Sequence, residues 1–522
     1  MYLKIVISLA LVTALFSTEI VVAENNHLAL FNQNCAGCHG VDRLGLTGPA
    51  LIPENLKRLR GKQAITLISE GLPATQMPAF GKTLTPSQIQ SLVDYIYTPL
   101  AEIAEWSDQN INASQLIYKP DLVNGDATTV KPIYNADPLN IFLVVEAGDH
   151  HVSVLDGDTF NVIHRFKSRY ALHGGPKYTS DGRFVYFASR DGWITKFDMY
   201  TLETVAEIRA GINTRNLAVS DDNRYVLVGN ALPHTLVLLD ATDLSLIKSI
   251  AVTDGEGNSS RVSAVYTAPP RHSFIAALKD FKAVWEISYP DKPSKVFNGK
   301  VHDYRMEEGE AEKGSFPVQK IKLDDYLDDF FFDQQYSNII GTARNAKRGQ
   351  VFNLNAKQRI SDLDLTGMPH LGSGITWKYK DTVILASPNL KENTVTIIDT
   401  QNWKTIKKIK TKGPGFFMRS HENSPYVWVD VFMGPNKDLV HVIDKKTLNI
   451  VKTLNPAPGK TSGHVEFTRD GHFALLSIWE MDGELVIYDA KTLKEVKRVP
   501  MKKPVGKYNV YNKITRSSGT SH

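Results

Sequence analysis

Cysteine is almost absent: Cys35 and Cys38 are the only two in 522 residues. No disulfide framework is available, so a large domain here must hold by burial and strand pairing alone. A second Cys pair that would complete a zinc tetrahedron is also missing. An excess of charge of either sign is lacking, with 60 basic and 56 acidic residues giving a net +4. Without a basic motif or patch, nucleic acid is excluded as a partner. Long apolar runs occur only near the N-terminus, where Ile5 to Phe16 follows Lys4 and precedes Val21-Val22-Ala23. Residues 1–23 therefore read as a secretory signal peptide, with an uncleaved anchor as the alternative, and the run is short for a membrane span. No membrane span is expected once the signal is removed.

The two cysteines stand in Cys35-Ala36-Gly37-Cys38-His39. This C-x-x-C-H spacing places two thiols for thioether bonds to one haem and a histidine for its iron. A redox C-x-x-C pair or half a zinc site is the bland alternative. The expected second iron ligand is Met77, in Thr75-Gln76-Met77-Pro78, because a thioether suits an electron carrier. Thr85 as N-cap, Pro86 in the first turn and Ile89, Leu92, Val93 and Ile96 at helical spacing predict a final helix. Leu28–Asn34 and Gln63–Glu70 read as two more. The order of motif, methionine and closing helix resembles a small all-α class I cytochrome c domain over residues 24–104. Haem attachment of this kind fits a protein exported to the periplasm.

Residues 105–138 read as a polar linker. Beyond it, short strands rich in Val, Ile, Phe and Tyr alternate with turn residues. The pattern apolar-apolar-Asp recurs at Asp156, Asp198 (as Lys196-Phe197-Asp198) and Asp240, spaced by 42 residues, and at Asp399, Asp444 and Asp489, spaced by 45. Val284-Trp285-Glu286 and Val351-Phe352-Asn353 fill the same slot between them. Eight repeats of four strands predict an all-β eight-bladed β-propeller over residues 139–522. Val301–Gln319 reads as a charged insertion. Ile141 to Phe166 supplies three strands, and Gly506-Lys507-Tyr508-Asn509-Val510-Tyr511 supplies the strand that closes the ring.

The starts of the inner strands should line the channel. There the sequence holds His173, Arg215, Arg261, Phe331-Phe332, His370, Met418-Arg419, His464 and Lys507-Tyr508. Three histidines among cations suit a flat polyanionic macrocycle with a central metal, with histidine for the metal and cations for carboxylates.

A haem c domain followed by an eight-bladed propeller ending in Gly506-Lys507-Tyr508-Asn509-Val510-Tyr511-Asn512 resembles the cytochrome cd1 nitrite reductase family. The resemblance covers essentially the whole mature chain, including the His173 segment, Arg190 in Ser189-Arg190-Asp191, Arg215 and Met368-Pro369-His370. It implies a haem d1-binding propeller with His173 as proximal iron ligand. The family's nitrite reductases carry two distal histidines. The matching stretches here, Ala277-Leu278-Lys279-Asp280-Phe281 and Asp329-Phe330-Phe331-Phe332-Asp333, have none, and His272 lies at the far end of its strand.

What remains is similar to the family's dihydro-haem d1 dehydrogenase branch. That likeness implies oxidation of a ring propionate of dihydro-haem d1 to an acrylate, the last step of haem d1 biosynthesis, with electrons passed to covalent haem c. His464 is the expected general base, as an imidazole of ordinary pKa, and His370 the distal iron ligand or a second acid/base, roles open to exchange. Arg190, Arg215, Arg261, Tyr266, Lys279, Arg419 and Lys507 are candidates for pairing the ring carboxylates. A nitrite reductase and a non-catalytic haem d1 carrier are the alternatives. A transient complex with cytochrome cd1 nitrite reductase or other haem d1 maturation proteins, within denitrification, fits any of the three.

Overall fold

A computed structural model describes residues 27–515, apart from 47, 58, 60, 73–76, 103, 125–129, 299–311, 313 and 343–347. The signal peptide expected over residues 1–23 and most of the Val301–Gln319 insertion lie outside the described residues. Two compact units divide the chain, residues 1–105 and 106–522.

The first unit is helical. A helix over 27–34 leads into the turn Ala36–His39 that carries Cys38 and His39, and helices follow at Gly61–Glu70 and Pro86–Tyr97. The last starts as its sequence requires. Thr85 Oγ1 accepts the Gln88 N–H while the Gln88 side chain accepts the Thr85 N–H, a reciprocal cap, with Pro86 in the first turn. Its apolar stripe, Ile89, Leu92, Val93 and Ile96, is buried against Phe31, Leu56, Ala64 and Ile68.

The second unit contains eight antiparallel sheets among the described residues. Their inner strands are Lys177–Tyr178, Asn213–Val219, Val262–Ala268, Asp329–Phe332, Ile375–Tyr379, Met418–Ser420, Ser462–Phe467 and Pro504–Asn509, which define blades 1 to 8. The recurring aspartate has a local cause. Asp156, Asp198, Asp240, Asp399, Asp444 and Asp489 each end a third strand and accept the N–H two residues on, at 2.6–3.1 Å, closing the turn to the outer strand. The residue four positions on (Phe160, Leu202, Leu244, Trp403, Leu448, Leu493) has φ between +55 and +65°. Asn353 makes the same turn in blade 4. Glu286 in blade 3 instead pairs with Arg271.

The ring closes across the chain ends. Pro504–Asn509 pairs with Ile141–Glu146, matching Phe142 with Asn509 and Val144 with Lys507. Asn512 then donates to Glu466 and to the Phe467 carbonyl in blade 7.

The stretch expected as a linker is structured over residues 106–124. Trp106 donates its indole N–H to the Arg209 carbonyl at 2.8 Å, and Ile111 is buried between blades 1 and 2. Leu116–Ile117 adds a fifth strand to blade 1 by pairing with Glu207 and Ala206. A two-residue strand carries no periodic pattern, so composition alone reads as linker.

Candidate functional site

In the helical unit, His39 is nearly buried, and its Nδ1 lies 2.8 Å from the Pro49 carbonyl. That bond puts the proton on Nδ1 and presents Nε2, the arrangement of a metal-ligating imidazole. Gly48 makes room for it, since a Cβ there would stand 2.7 Å from the ring. No disulfide joins Cys35, half-buried, to Cys38, exposed, and the Cys38 N–H donates to the Cys35 carbonyl at 3.1 Å. Met77 is half-buried against Ile68, Ile89 and Val93. Its carbonyl accepts the Leu72 N–H. Two thiols, one oriented imidazole and a thioether on this small apolar core fit a covalent haem.

In the propeller, contacts run around the channel from blade to blade. The His173 Nδ1 lies 2.7 Å from the Arg215 carbonyl, and its Nε2 is 3.3 Å from the Arg215 guanidinium. Arg215 also donates to the Ser263 carbonyl of blade 3. Tyr266 donates to Asp329 at 2.9 Å, and the other oxygen of Asp329 accepts the Gly372 N–H two residues after His370. The His370 Nδ1 is 2.8 Å from the Phe416 carbonyl, and its ring stacks on Phe416 at 4.2 Å. Phe417 packs edge-on against His464 at 4.7 Å, and His464 against Tyr508 at 5.2 Å. Gly175, two residues after His173, lies against the Tyr508 ring and completes the circuit.

His370 and His464 differ in kind. His370, like His39 and His173, has Nδ1 on a backbone carbonyl and so offers Nε2. Its pKa is lowered by burial, opposed by Asp329. The backbone bond that raises the His464 pKa is with its own carbonyl, not with one from the next blade. The His464 Nδ1 faces the Lys507 N–H at 3.5 Å, the outer limit of hydrogen bonding, so no strong bond fixes its tautomer. It is not the imidazole of ordinary pKa that the sequence suggested: burial, then Lys507 and Arg419, hold it well below the usual range and neutral. Behind it, burial pushes the Asp430 carboxyl up and the Lys507 ammonium down, each to about 7.

The model of the Cytochrome D1 heme domain matches residues 136–513, and that of the cbb3-type cytochrome c oxidase subunit III matches residues 25–96. The chain belongs to the cytochrome d1 haem-domain family. A dihydro-heme d1 dehydrogenase of Pseudomonas aeruginosa is 53% identical over 496 residues, 95% of each chain. A nitrite reductase of Stutzerimonas stutzeri is 25% identical over 92% of each. The solved structure of the dihydro-heme d1 dehydrogenase NirN in complex with DHE superposes with a TM-score of 0.86 at 52% identity, covering 94% of this chain and 100% of that one. The fold is the one expected, a cytochrome c domain followed by an eight-bladed propeller.

Within this d1 propeller the predicted cations divide. Arg215 sits beside His173 as described, and Arg190 is half-buried, its carbonyl accepting the N–H of Thr214, the residue before Arg215. Arg261 pairs with Asp280 and Lys279 with Asp328, both pairs partly exposed. Arg419 is buried on Glu466, and the fully buried Lys507 donates to the His464 carbonyl and to Ser477. These four thus meet groups of the protein itself. His272 is exposed beside Asp221 at 3.3 Å, away from the channel residues. Asp329, Asp430 and the aromatic wall Phe416, Phe417 and Phe432 were not singled out by sequence. An aspartate after a strand reads as a turn former, and only long-range contacts reveal its role.

Neutral buried histidines make stability pH-dependent. For His441, burial and Lys412 lower the pKa to about 4, and His370, His421 and His464 are lowered by burial. Their contribution is intact above the unfolded value of ~6.5 and is lost as pH falls from there toward 4, because only the unfolded chain gains protons in that window. The melting temperature should decline steadily between pH 7 and 5; a flat profile would contradict this burial.

Proposed function

We propose that this protein is an exported, periplasmic dihydro-haem d1 dehydrogenase, converting a ring propionate of dihydro-haem d1 to an acrylate. The observation that carries the reading is the pairing of two channel histidines with carbonyl-anchored Nδ1 and a third, neutral, cation-flanked one. The 53% identity to a dihydro-heme d1 dehydrogenase supports it.

Saturated CH₂–CH₂ becoming CH=CH releases two protons and two electrons. His173 and His370 hold the substrate's central iron through Nε2, and Arg190 and Arg215 pair ring carboxylates. Arg261 and Lys279, being partly exposed, mark the rim, while Tyr266 acts through Asp329. His464 takes a proton from the propionate carbon chain. Its basicity, depressed in the free protein by burial and then by Lys507 and Arg419, rises when an anionic propionate lies beside it. Tyr508, packed against His464, fixes the ring. Phe416, Phe417 and Phe432 exclude water. Haem c, held by Cys35, Cys38, His39 and Met77, supplies a one-electron acceptor when bound. A transient complex with a cytochrome cd1 nitrite reductase or other haem d1 maturation proteins, within denitrification, would receive the product.

Anaerobic incubation of the oxidised protein with dihydro-haem d1 tests the reading. The extracted tetrapyrrole should have lost two hydrogens. A stable complex of unchanged mass would instead favour a carrier, and nitrite-dependent oxidation of a reduced donor would favour a nitrite reductase.

A further inference from the structure

One carboxylate stands behind both distal histidines. Asp430 ends the second strand of blade 6 and is about 1% exposed. Its Oδ1 accepts the N–H groups of Phe416 at 2.8 Å and Phe417 at 3.0 Å. Its Oδ2 accepts the N–H of His464 at 3.2 Å. The same two phenylalanines hold the imidazoles. The Phe416 carbonyl takes the His370 Nδ1 proton and its ring stacks on His370, while Phe417 packs on His464.

His464 needs such an anchor. It sits in a register break between Gly463 and Glu466 of blade 7, with φ at +56°. A non-glycine residue in that conformation is strained and persists only where the surroundings impose it. Gly463 is shaped to the contact, because a Cβ there would lie 2.8 Å from Asp430 Oδ2 and 3.1 Å from the Phe432 ring.

We infer that Asp430 is a positioning residue that sets His370 and His464 at once, coupling the iron-holding and the proton-accepting sides of the pocket. Blades 5 and 7 supply the two histidines, and blade 6 registers them against each other. A displacement of the carboxylate therefore moves both imidazoles without touching either. The inference rests on the dehydrogenase reading for its catalytic consequence, and on geometry alone for the coupling.

Two variants in the full-length holoprotein test it. Asp430→Asn replaces one acceptor oxygen by an amide that cannot accept an N–H. Gly463→Ala keeps every charge and pushes Oδ2 off the His464 N–H. For both, turnover of dihydro-haem d1 at saturation should fall on the order of 10²-fold, with KM changing much less and melting still cooperative. Crystal structures of both should show His464 out of its left-handed conformation or its ring moved from Phe417, and in Asp430→Asn His370 displaced from the Phe416 carbonyl. Wild-type turnover in either folded variant, or lost turnover with both imidazoles unmoved, would overturn the proposal. Should Asp430→Asn fail to fold, Gly463→Ala decides alone. If the wild-type protein binds but does not oxidise dihydro-haem d1, the dehydrogenase reading fails, and the crystal comparison still decides the positioning role.

Discussion

His464→Ala is expected to keep the tetrapyrrole bound and to lose its oxidation by ~10²–10⁴-fold, the usual scale for removing a general base. Binding should survive because the iron-holding role is assigned to His173 and His370, whose Nδ1 atoms sit on the Arg215 and Phe416 carbonyls, independently of His464. Alanine in a left-handed conformation carries about 1–2 kcal/mol of strain, so His464→Asn, which tolerates that conformation, is the control for folding. A variant retaining wild-type turnover would remove His464 from the chemistry. One that lost the tetrapyrrole altogether would give it the ligand's role and return the base to His370.

Deleting residues 504–522 should abolish folding of the entire propeller rather than loosen one blade. The lost strand pairs with Ile141–Glu146 along its length, so its removal bares a long apolar edge over Phe142, Leu143 and Val144. Lys507 and Asn512 go with it. Arg419 and Glu466 would keep each other, but the carbonyl of His464, Ser477 and the Glu466 oxygen held by Asn512 would be left without these partners in the interior. Each buried polar group so abandoned costs ~1–3 kcal/mol, a large share of an ordinary domain's net stability. The truncated chain should show no cooperative melting by circular dichroism. A truncation that melts like the full chain would rule out closure by this strand.

The propeller was legible because its repeat is local. Each Asp at the end of a third strand bonds the N–H two residues on, so the turn and its sequence signature occupy the same few positions. The closing strand was legible from the mismatch between three strands at one end and one at the other. The haem c motif was legible for the same reason of proximity, and the reciprocal Thr85–Gln88 cap marks the helix behind it.

The pocket was legible only in its first layer. His173, His370 and His464 stood out as chemical types in equivalent slots. What distinguishes them is the partner of each Nδ1, supplied by residues 42, 46 and 43 positions away. Separation in the chain also hid Asp430, whose partners Phe416 and Phe417 lie 14 and 13 positions before it and His464 34 after it, and it concealed that Arg419 and Lys507 are occupied with Glu466 and the His464 carbonyl. Segment 106–124 escaped notice because its attachment rests on one tryptophan, one buried isoleucine and a two-residue strand.

In the proposed reaction, substrate oxidation and electron transfer to haem c are one process. Anaerobic stopped-flow mixing of the fully oxidised protein, in excess, with dihydro-haem d1 tests it most directly, with haem c reduction followed by absorbance and product by extraction. Two protons and two electrons leave each propionate, so two haem c groups should be reduced for every acrylate formed, with no reduction in His464→Ala. Acrylate formation with haem c still oxidised, or haem c reduction with the propionate unchanged, would contradict the account.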